Sequence, residues 1–512
     1  MTGDGPRLPL LLTAIAITSA NFMNVLDTTI AVVSLPAISG SLGATPSQGT
    51  WILTSYTVCL AVILPLSPWI SKRYGEIKTF VVSVLLFTLT SALCGLATNF
   101  ETLILFRALQ GLTSGLIVPL SQTLVLRVYP PEQHGFAIGL WSVTSTTAPV
   151  LGPLIGGFIT DNFGWPWIFY INIPLGLVTS SLIWLSMGHT DKKLPKVPVD
   201  AVGVLLLALG VIMLQLILDK GHELDWLASP TIRTMLNVAI IAAIGFYVWE
   251  RKERHPIIDY SLFRYPVFVM ASIIASLFHI TYFGSMIPYP IWMQSVLGYT
   301  ATWSGLVMAG TSVLPVFGMM IVGKNMPNWN LRYLMAAGCL FGMWGIYLQA
   351  GCSPETTFYT MLQARIMVGI GFTLLWPPLM AITLSSVPPD KTASAASFFN
   401  FFRIFSTSVG IAFGITIWQS RTVFHRQHLV EELNPWRAGK DSAFAPLREL
   451  AEGNDSAMWA IAEGLTNIQS LTLGLSDTFI LLTVMIIPIL LLVPFLPAKM
   501  PSAADAKPAG GD

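Results

Sequence analysis

The chain has 512 residues, of which 54% are hydrophobic and only 10% charged, and its mean hydropathy is +0.68. That is more apolar surface than one soluble core can bury, so the composition indicates a protein whose solvent is lipid. The 27 basic and 26 acidic residues nearly cancel, which leaves no basic field to attract nucleic acid. The four cysteines form no CxxC pair, so neither a disulfide framework nor a metal site is indicated.

The apolar runs predict an all-α integral membrane protein, because a bilayer-crossing helix needs about 20 mostly apolar residues and satisfies its backbone polar groups internally. The first run, starting near Pro9, is too long for a signal-peptide core and leads to Asp27 rather than to a small-residue cleavage site. We therefore interpret it as a retained first span. Fourteen spans are predicted, near residues 9–31, 49–70, 78–98, 102–126, 135–159, 165–187, 200–219, 233–250, 267–290, 302–323, 331–350, 357–384, 393–418 and 476–497.

Basic residues accumulate in the loops on one side of these spans, and this bias predicts that both termini lie in the cytoplasm. A hydrophilic stretch of mixed charge, residues 421–475, is predicted to project outward, since long loops can translocate regardless of charge. The basic residues that carry the bias are Lys72, Arg73, Lys78, Lys192, Lys193, Lys196, Arg251, Lys252, Arg254 and Arg264.

A comparison of the chain with itself reveals an internal repeat, which predicts two parallel six-span halves with spans 7 and 8 inserted between them. The predicted units are residues 1–190, the inserted pair and its cytoplasmic linker at 191–260, and residues 261–512, which include the outward loop 421–475. Such halves rock about a central site at the bilayer midplane. A shift of 258 residues superposes Arg107 on Arg365, Gly111 on Gly369, Pro119 on Pro377, Pro130 and Pro131 on Pro388 and Pro389, Gly152 on Gly410, and Gly156 on Gly414.

Two charged residues inside predicted spans are candidates for proton coupling. A charge at the centre of a spanning helix costs about 2.5 to 3.5 kcal/mol on insertion scales, so one that persists needs a reason. Asp27 in span 1 and Arg107 in span 4 lie at comparable depth and can pair. Under the functional interpretation Asp27 takes up and releases a proton and so biases the rocking of the halves. The alternative is a fixed ion pair that only holds spans 1 and 4 together.

Three further residues are candidates for lining a central cavity. Arg365 is the repeat partner of Arg107, and an ion-pathway role and a structural role are equally open for it. His279 in span 9 is a proton-relay candidate, although a lone histidine on an apolar helix is more often simply hydrogen-bonded to a neighbour. Trp376 either lines a hydrophobic pocket or anchors its helix at the membrane interface.

Span 5 carries the run APVLGPLIGG at residues 148–157, in which small residues and prolines crowd onto about three turns. Glycines let a neighbouring backbone approach closely, and proline permits a bend. These residues predict close packing of span 5 against neighbouring helices. A more specific hypothesis is that this packing seam, residues 148–157, seals one side of the cavity against leakage.

Several motifs together resemble one family. VLDTTIAVVSLP in span 1, FRALQGLTSG in span 4 and APVLGPLIGG in span 5 resemble motifs of the fourteen-span drug:proton antiporters of the major facilitator superfamily. GTWILTSY, LDKGHELDW, GYTATWSG and VPPDKTASAAS are similar to the EmrB subgroup in particular. The resemblance extends over nearly the whole chain.

The resemblance implies roles for individual residues. Asp27 matches the membrane-embedded acid of the family and Arg107 its proposed proton-transfer arginine. The antiporter signature falls on Gly152, Pro153, Gly156 and Gly157. In the cytoplasmic loop between spans 2 and 3 Arg73 and Gly75 match the superfamily motif, whereas Lys72 replaces the usual aspartate and puts a salt-bridge gate there in doubt.

The resemblance also implies a bacterial inner-membrane pump for small hydrophobic compounds, working with a periplasmic adaptor of EmrA type and a TolC-type outer-membrane channel. The 421–475 loop is then either a docking surface or a disordered spacer. Proton-coupled solute uptake remains an alternative on the same fold, as does a membrane scaffold or sensor. No Walker loop, zinc-binding helix or Ser-His-Asp set occurs, so neither an enzyme, a cofactor nor ATP-driven transport is predicted.

Overall fold

The computed structural model describes residues 10–130, 133–188, 200–253, 260–326, 328–388, 391–432, 445–452 and 454–500. Lys192, Lys193, Lys196 and Arg254, which contribute to the predicted charge bias, lie outside these ranges. The main helices are α1 Leu10–Ser41, α2 Trp51–Leu66, α3 Glu76–Gly95, α4 Phe100–Val128, α5 His134–Phe163, α6 Trp167–Met187, α7 Ala201–Lys220, α8 Pro230–Glu250, α9 Pro266–Ser295, α10 Ala301–Asn325, α11 Leu331–Ala350, α12 Phe358–Ser385, α13 Thr392–Glu432 and α14 Asp455–Phe495.

Twelve of the described helices are long and apolar enough to cross a bilayer. The other two, α2 and α5, are not among the twelve: α2 is a shorter apolar helix that continues through Ser67–Tyr74, and several side chains of α5 lie outside the described set. The chain is therefore a multi-pass membrane protein, and the count of fourteen spans stays a prediction.

The helices begin where the sequence supplies capping residues. Side chains of Asn99, Thr300, Thr357 and Asn454 accept hydrogen bonds from backbone N–H groups in the first turns of α4, α10, α12 and α14. These side chains replace the partners that the first N–H groups of any helix lack. Polar residues at the helix ends thus fix where the apolar segments start.

The last two helices are longer than the apolar runs predict. α13 continues to Glu432 rather than to 418, and α14 begins at Asp455 rather than at 476. Much of the hydrophilic 421–475 stretch is therefore helix that extends beyond the apolar part of the bundle, while residues 433–444 and 453 lie outside the described ranges. Hydropathy reports where lipid ends, and a helix can continue into water past that point.

The same helix pairs pack in both parts of the chain. α1 packs on α5, α2 on α4 and α3 on α6; eight helices later α9 packs on α13, α10 on α12 and α11 on α14. α5 packs on α10 and α2 on α13, which joins the two parts, and the pair α7–α8 contacts α2 and α13 through α7. We call the face of the bundle where α1 ends the distal face and the opposite one the proximal face.

The glycines of α5 allow two close helix contacts. A Cβ added at Gly152 or Gly156 would collide with α1 at Thr29 or Ile30, and one added at Gly157 would collide with the backbone carbonyl of Ala301 in α10. Backbones meet this closely only where no side chain intervenes. The predicted packing seam is therefore present, with Gly152 and Gly156 facing α1 and Gly157 facing α10.

We expect Gly157→Ala to destabilise the junction of α5 and α10 by about 1 to 3 kcal/mol, the usual cost of overpacking. The thermal unfolding midpoint of the purified protein measures the effect. Gly464→Ala is the matched control, because a Cβ there meets nothing within 4 Å and alanine favours a helix. Equal midpoints for the two variants would contradict the close contact.

Candidate functional site

The candidate site is a buried ion pair between α1 and α4. Arg107 Nη1 lies 2.6 Å from Asp27 Oδ2, and both side chains are fully buried. The two residues are brought together because Asp27 lies well inside α1 and Arg107 two turns into α4. Since each charge would be costly alone in a low-dielectric interior, the pair is the arrangement in which both can be ionised.

Neutral amides complete the coordination of the carboxylate. Gln110 Nε2 and Asn172 Nδ2 donate to Asp27 Oδ1 at 3.1 and 3.0 Å. Gln110 Oε1 in turn accepts from Arg107 Nη1 at 2.7 Å, and Asn172 also donates to Ser91 Oγ at 3.0 Å. Gln110, Asn172 and Ser91 were not identified as site residues from the sequence. The available signal for Gln110 and Asn172 was an amide side chain within an apolar helix. Helices α1, α4 and α6 thus meet at one carboxylate, and α3 contacts the group through Ser91 and Asn172.

The guanidinium is held from a third side by α2. Arg107 Nε donates to the Ile52 carbonyl at 3.1 Å, and the group lies 4.3 Å from the ring centroid of Tyr56 and 5.5 Å from that of Phe169. Aromatic faces attract cations, and more strongly when water is excluded. Within the part of the chain that the structure describes, Arg107 Nη2 has no hydrogen-bond partner.

Arg107 also lines a small cleft between the two parts of the bundle. Thr28 and Tyr56 border it from one side, and Phe283 and Ile411 from the other. A change of charge at the pair therefore occurs where the two parts meet. Protonating Asp27 would convert an ion pair into a neutral acid beside a cation, which weakens the attraction that holds α1 to α4.

Arg365, the repeat partner of Arg107, has a different environment. It is buried, its Nη1 donates to Gln349 Oε1 at 3.2 Å, and its guanidinium lies 5.4 Å from the Tyr289 ring centroid. The 258-residue shift that relates the two arginines carries Asp27 onto Ser285. Among the described residues no carboxylate pairs with Arg365, so the repeat preserves the arginine and not its acid.

His279 and Trp376 lie together in an aromatic cluster, with ring centroids 4.8 Å apart. Phe283 stacks on His279 at 6.0 Å, and Phe372 on Trp376 at 6.1 Å. His279 Nδ1 lies 2.8 Å from the Ala275 carbonyl oxygen, which places a hydrogen on Nδ1 and leaves Nε2 as an acceptor. Because Phe283 also lines the cleft beside Arg107, the cluster reaches the junction between the two parts.

The loop motif after α2 forms a tight turn at the proximal face. Gly75 has φ +95°, a conformation that favours glycine, and its N–H bonds to the Ser71 carbonyl. Arg73 lies 5.5 Å from the Trp69 ring centroid and 5.7 Å from that of Tyr74. The side chain of Lys72 lies outside the described set, so its predicted effect on a gate is not tested.

At the distal face the two parts are joined by a carboxylate that sequence reasoning missed. Asp161, at the end of α5, accepts from the backbone N–H groups of Ala301 and Thr302 at 3.2 and 2.7 Å and from the Thr302 hydroxyl. It therefore caps the first turn of α10, where a negative charge is favoured. Nearby, Gln294 Nε2 donates to the Val33 carbonyl of α1 at 2.9 Å.

Comparison with known proteins indicates a membrane transporter rather than an enzyme, in keeping with the multi-pass helical fold. Residues 17–411 match the Major Facilitator Superfamily. The chain is 37% identical to the multidrug export protein EmrB of Haemophilus influenzae over 92% of each chain. It is 36% identical to the fatty acid resistance protein FarB of Neisseria gonorrhoeae over 92% of this chain and 93% of that one.

Solved structures show the same fold. A bacterial homologue of the human lysosomal transporter Spinster, in an inward-facing and unoccupied conformation, gives a TM-score of 0.64 at 17% identity and covers 96% of this chain and 98% of its own. A D-xylose-proton symporter gives 0.60 at 13% identity, over 96% and 100% of the two chains. The chain belongs to the major facilitator superfamily and, within it, to the EmrB-type multidrug exporters.

We expect Asp27→Asn and Arg107→Gln to lower stability when made singly by about 3 to 5 kcal/mol each, because each leaves a buried charge without its partner. The double variant should recover most of that loss. Thermal unfolding of the four purified proteins in detergent measures the coupling. Additive losses in the double variant would mean that the two charges do not stabilise each other.

Proposed function

We propose that the chain is a proton-coupled antiporter that exports hydrophobic or amphipathic compounds across the bacterial inner membrane by alternating access. The observation that carries the proposal is the fully buried Asp27–Arg107 pair of the first part, whose arginine borders the cleft between the two helical parts. The names of its relatives, a multidrug export protein and a fatty acid resistance protein, support small amphipathic substrates.

The proposed cycle uses the pair as its switch. A proton from the outer side neutralises Asp27 and releases Arg107, and the proton is given up when the site faces the cytoplasm and the pair re-forms. Moving one proton charge through about 100 mV supplies about 2.3 kcal/mol, which sustains a substrate gradient of about fifty-fold. His279, Trp376 and Arg365 are proposed to border the substrate cavity from the second part.

The proposed topology has fourteen spans, with both termini in the cytoplasm and the distal face in the periplasm. Support comes from the basic residues of the proximal loops, Arg73 and Lys252 among them. In this orientation Asp161 and Gln294 join the two parts on the periplasmic side. The contacts of α5 with α10 are then part of the seal that the antiporter motif is proposed to provide.

Asp161→Ala should favour opening of the distal face, because it removes the acceptor of the Ala301 and Thr302 N–H groups and with it the link between α10 and α5. Spin labels at Ser41 and Ser353, in a variant lacking the native cysteines, should show a larger population of long distances by double electron–electron resonance. Asn162→Ala is the control, since among the described residues the Asn162 amide bonds within α5, to the Phe158 carbonyl. An unchanged distance distribution in Asp161→Ala would refute the link.

The proposed partners are a periplasmic adaptor of EmrA type and, through it, a TolC-type outer-membrane channel. The extensions of α13 and α14 support a rigid docking surface, because Asp477 binds both Arg421 and His425, at 2.6 and 2.7 Å, across the two helices. Phe424 and Val430 are apolar yet exposed on α13. An apolar exposed patch on a helix is a common interaction surface.

The proton coupling is tested in proteoliposomes with an imposed pH gradient, using ethidium and radiolabelled oleate as probes. We expect the wild-type protein to move at least one probe against the proton flux, and Asp27→Asn to lose the dependence on the gradient, since asparagine cannot titrate. Glu355→Gln, which neutralises an exposed carboxylate in the turn between α11 and α12, should behave as the wild type.

The outcome separates the alternatives. Probe movement with the proton flux indicates symport, and probe movement indifferent to the gradient in the wild-type protein refutes coupling. Removal of residues 433–444, between α13 and α14, distinguishes a scaffold from a pump. Transport in vesicles survives this deletion if the protein is a pump whose outward segment serves only to bind a partner.

A further inference from the structure

A second carboxylate inside the bundle lies outside the mechanism proposed above. Asp219, near the end of α7, accepts from Thr54 Oγ1 of α2 and from Gln215 Nε2 of its own helix, both at 2.9 Å. It is only partly exposed, and Thr54 and Gln215 are buried. Its partners are thus two neutral donors, in contrast to the guanidinium that faces Asp27.

Asp219 lies at nearly the same depth as the ion pair, although it is one residue from the end of its helix. Its partner Thr54 follows Ile52, whose carbonyl binds Arg107, by two residues, or about 3 Å along α2. Residues two apart on a helix point to nearly opposite sides. The body of α2 therefore lies between the two carboxylates, with the Tyr56 side chain against Arg107 on one face and the Thr54 side chain against Asp219 on the other.

No described cation compensates Asp219. The neighbouring Lys220 directs its Nζ to the Trp51 ring, 5.1 Å from the centroid. On α13, which also packs on α7, Arg421 binds Asp477, and α2 contributes only the neutral Thr54. The hydrogen-bond partners of this carboxylate among the described residues are Thr54 and Gln215, and none of the described ion pairs includes it. An isolated carboxylate at this depth is better tolerated as the neutral acid.

The surroundings can accept the hydrogen of such an acid. Gln215 Oε1 is buried and has no hydrogen-bond partner within the described ranges. Turning the amide of Gln215 by half a rotation would bring this oxygen to Asp219 Oδ1, where only a protonated carboxyl could use it. The Thr54 hydroxyl can likewise turn from donor to acceptor. The cluster therefore serves both protonation states.

We propose that Asp219, with Thr54 and Gln215, is a second proton-binding site, occupied while Asp27 is ionised in its ion pair. One proton from water adds to the carboxylate to give the carboxylic acid, and the reverse step returns it to water, with no other bond made or broken. The role of this site in transport rests on the proposed antiport, in which Asp219 adds a second proton to each cycle. Proton binding at Asp219 does not depend on that proposal.

Infrared difference spectroscopy of the purified full chain after a pH step tests the site without any substrate. We expect a C=O band of a protonated carboxyl that is lost in Asp219→Asn, shifted in Asp219→Glu, and shifted in Thr54→Val but not in Thr54→Ser. Asp225→Asn, in the exposed turn after α7, is the matched control and should leave the band unchanged. The same spectrum in wild type and Asp219→Asn would overturn the proposal.

Should Asp219→Asn fail to fold, the shifts in Asp219→Glu and Thr54→Val decide the question, and their absence counts against the site. In proteoliposomes the number of protons moved per ethidium or oleate should fall by one in Asp219→Asn. If the C=O band titrates but transport by the wild-type protein does not depend on the pH gradient, the proton-binding site is retained and the antiport is rejected. Failure of the proposed site and failure of the proposed antiport are therefore distinguishable.

Discussion

Lipid offers no partner to a charge, so every ionised group inside the bundle must find its compensation within the chain. The Asp27–Arg107 pair meets that constraint, and the packing of the first part is arranged around it. Helices α4 and α6 supply donors to the carboxylate of α1, and a fourth helix, α2, supplies a carbonyl and an aromatic face to the guanidinium. A change of one proton at this point alters contacts of α1, α4 and α6 at once, which is how a local charge can act on whole helices.

The two halves of the repeat have kept the same helix pairs and different chemistry. The arginine recurs at 365, but Ser285 stands where the repeat would place the acid, and the same helix carries His279 in an aromatic cluster. A structural salt bridge would be expected in both halves if its purpose were only to hold helices together. Its presence in one half, with an aromatic cluster in the other, supports the proposed division between proton handling and contact with apolar substrates.

Sequence alone could identify Asp27 and Arg107, because charges are rare in apolar runs and each is costly there. It could not identify Gln110 and Asn172, because neutral amides are less costly in apolar helices than charges are. Their roles also depend on which helices are neighbours. Asp161 and Asp219 escaped for another reason: both lie near helix ends, where an acidic residue is ordinarily solvated, and only packing shows that one caps α10 and the other faces α2. The extensions of α13 and α14 were missed because hydropathy marks the edge of lipid and not the end of a helix.

The position of the inserted pair gives α7 and α8 more than a spacing role. α7 contacts α2 and α13, one of the helix pairs that pack across the junction between the parts. Any rocking of one part against the other must change or slide these contacts, because packed helices do not deform continuously. A polar cluster between α7 and α2 is therefore strained or relieved in each cycle, whereas an apolar contact could slide with little change in energy. Placing a carboxylate at that junction makes the energy of the motion depend on its charge, and in the proposed cycle this connects the extra helices to a second proton besides the one bound at Asp27.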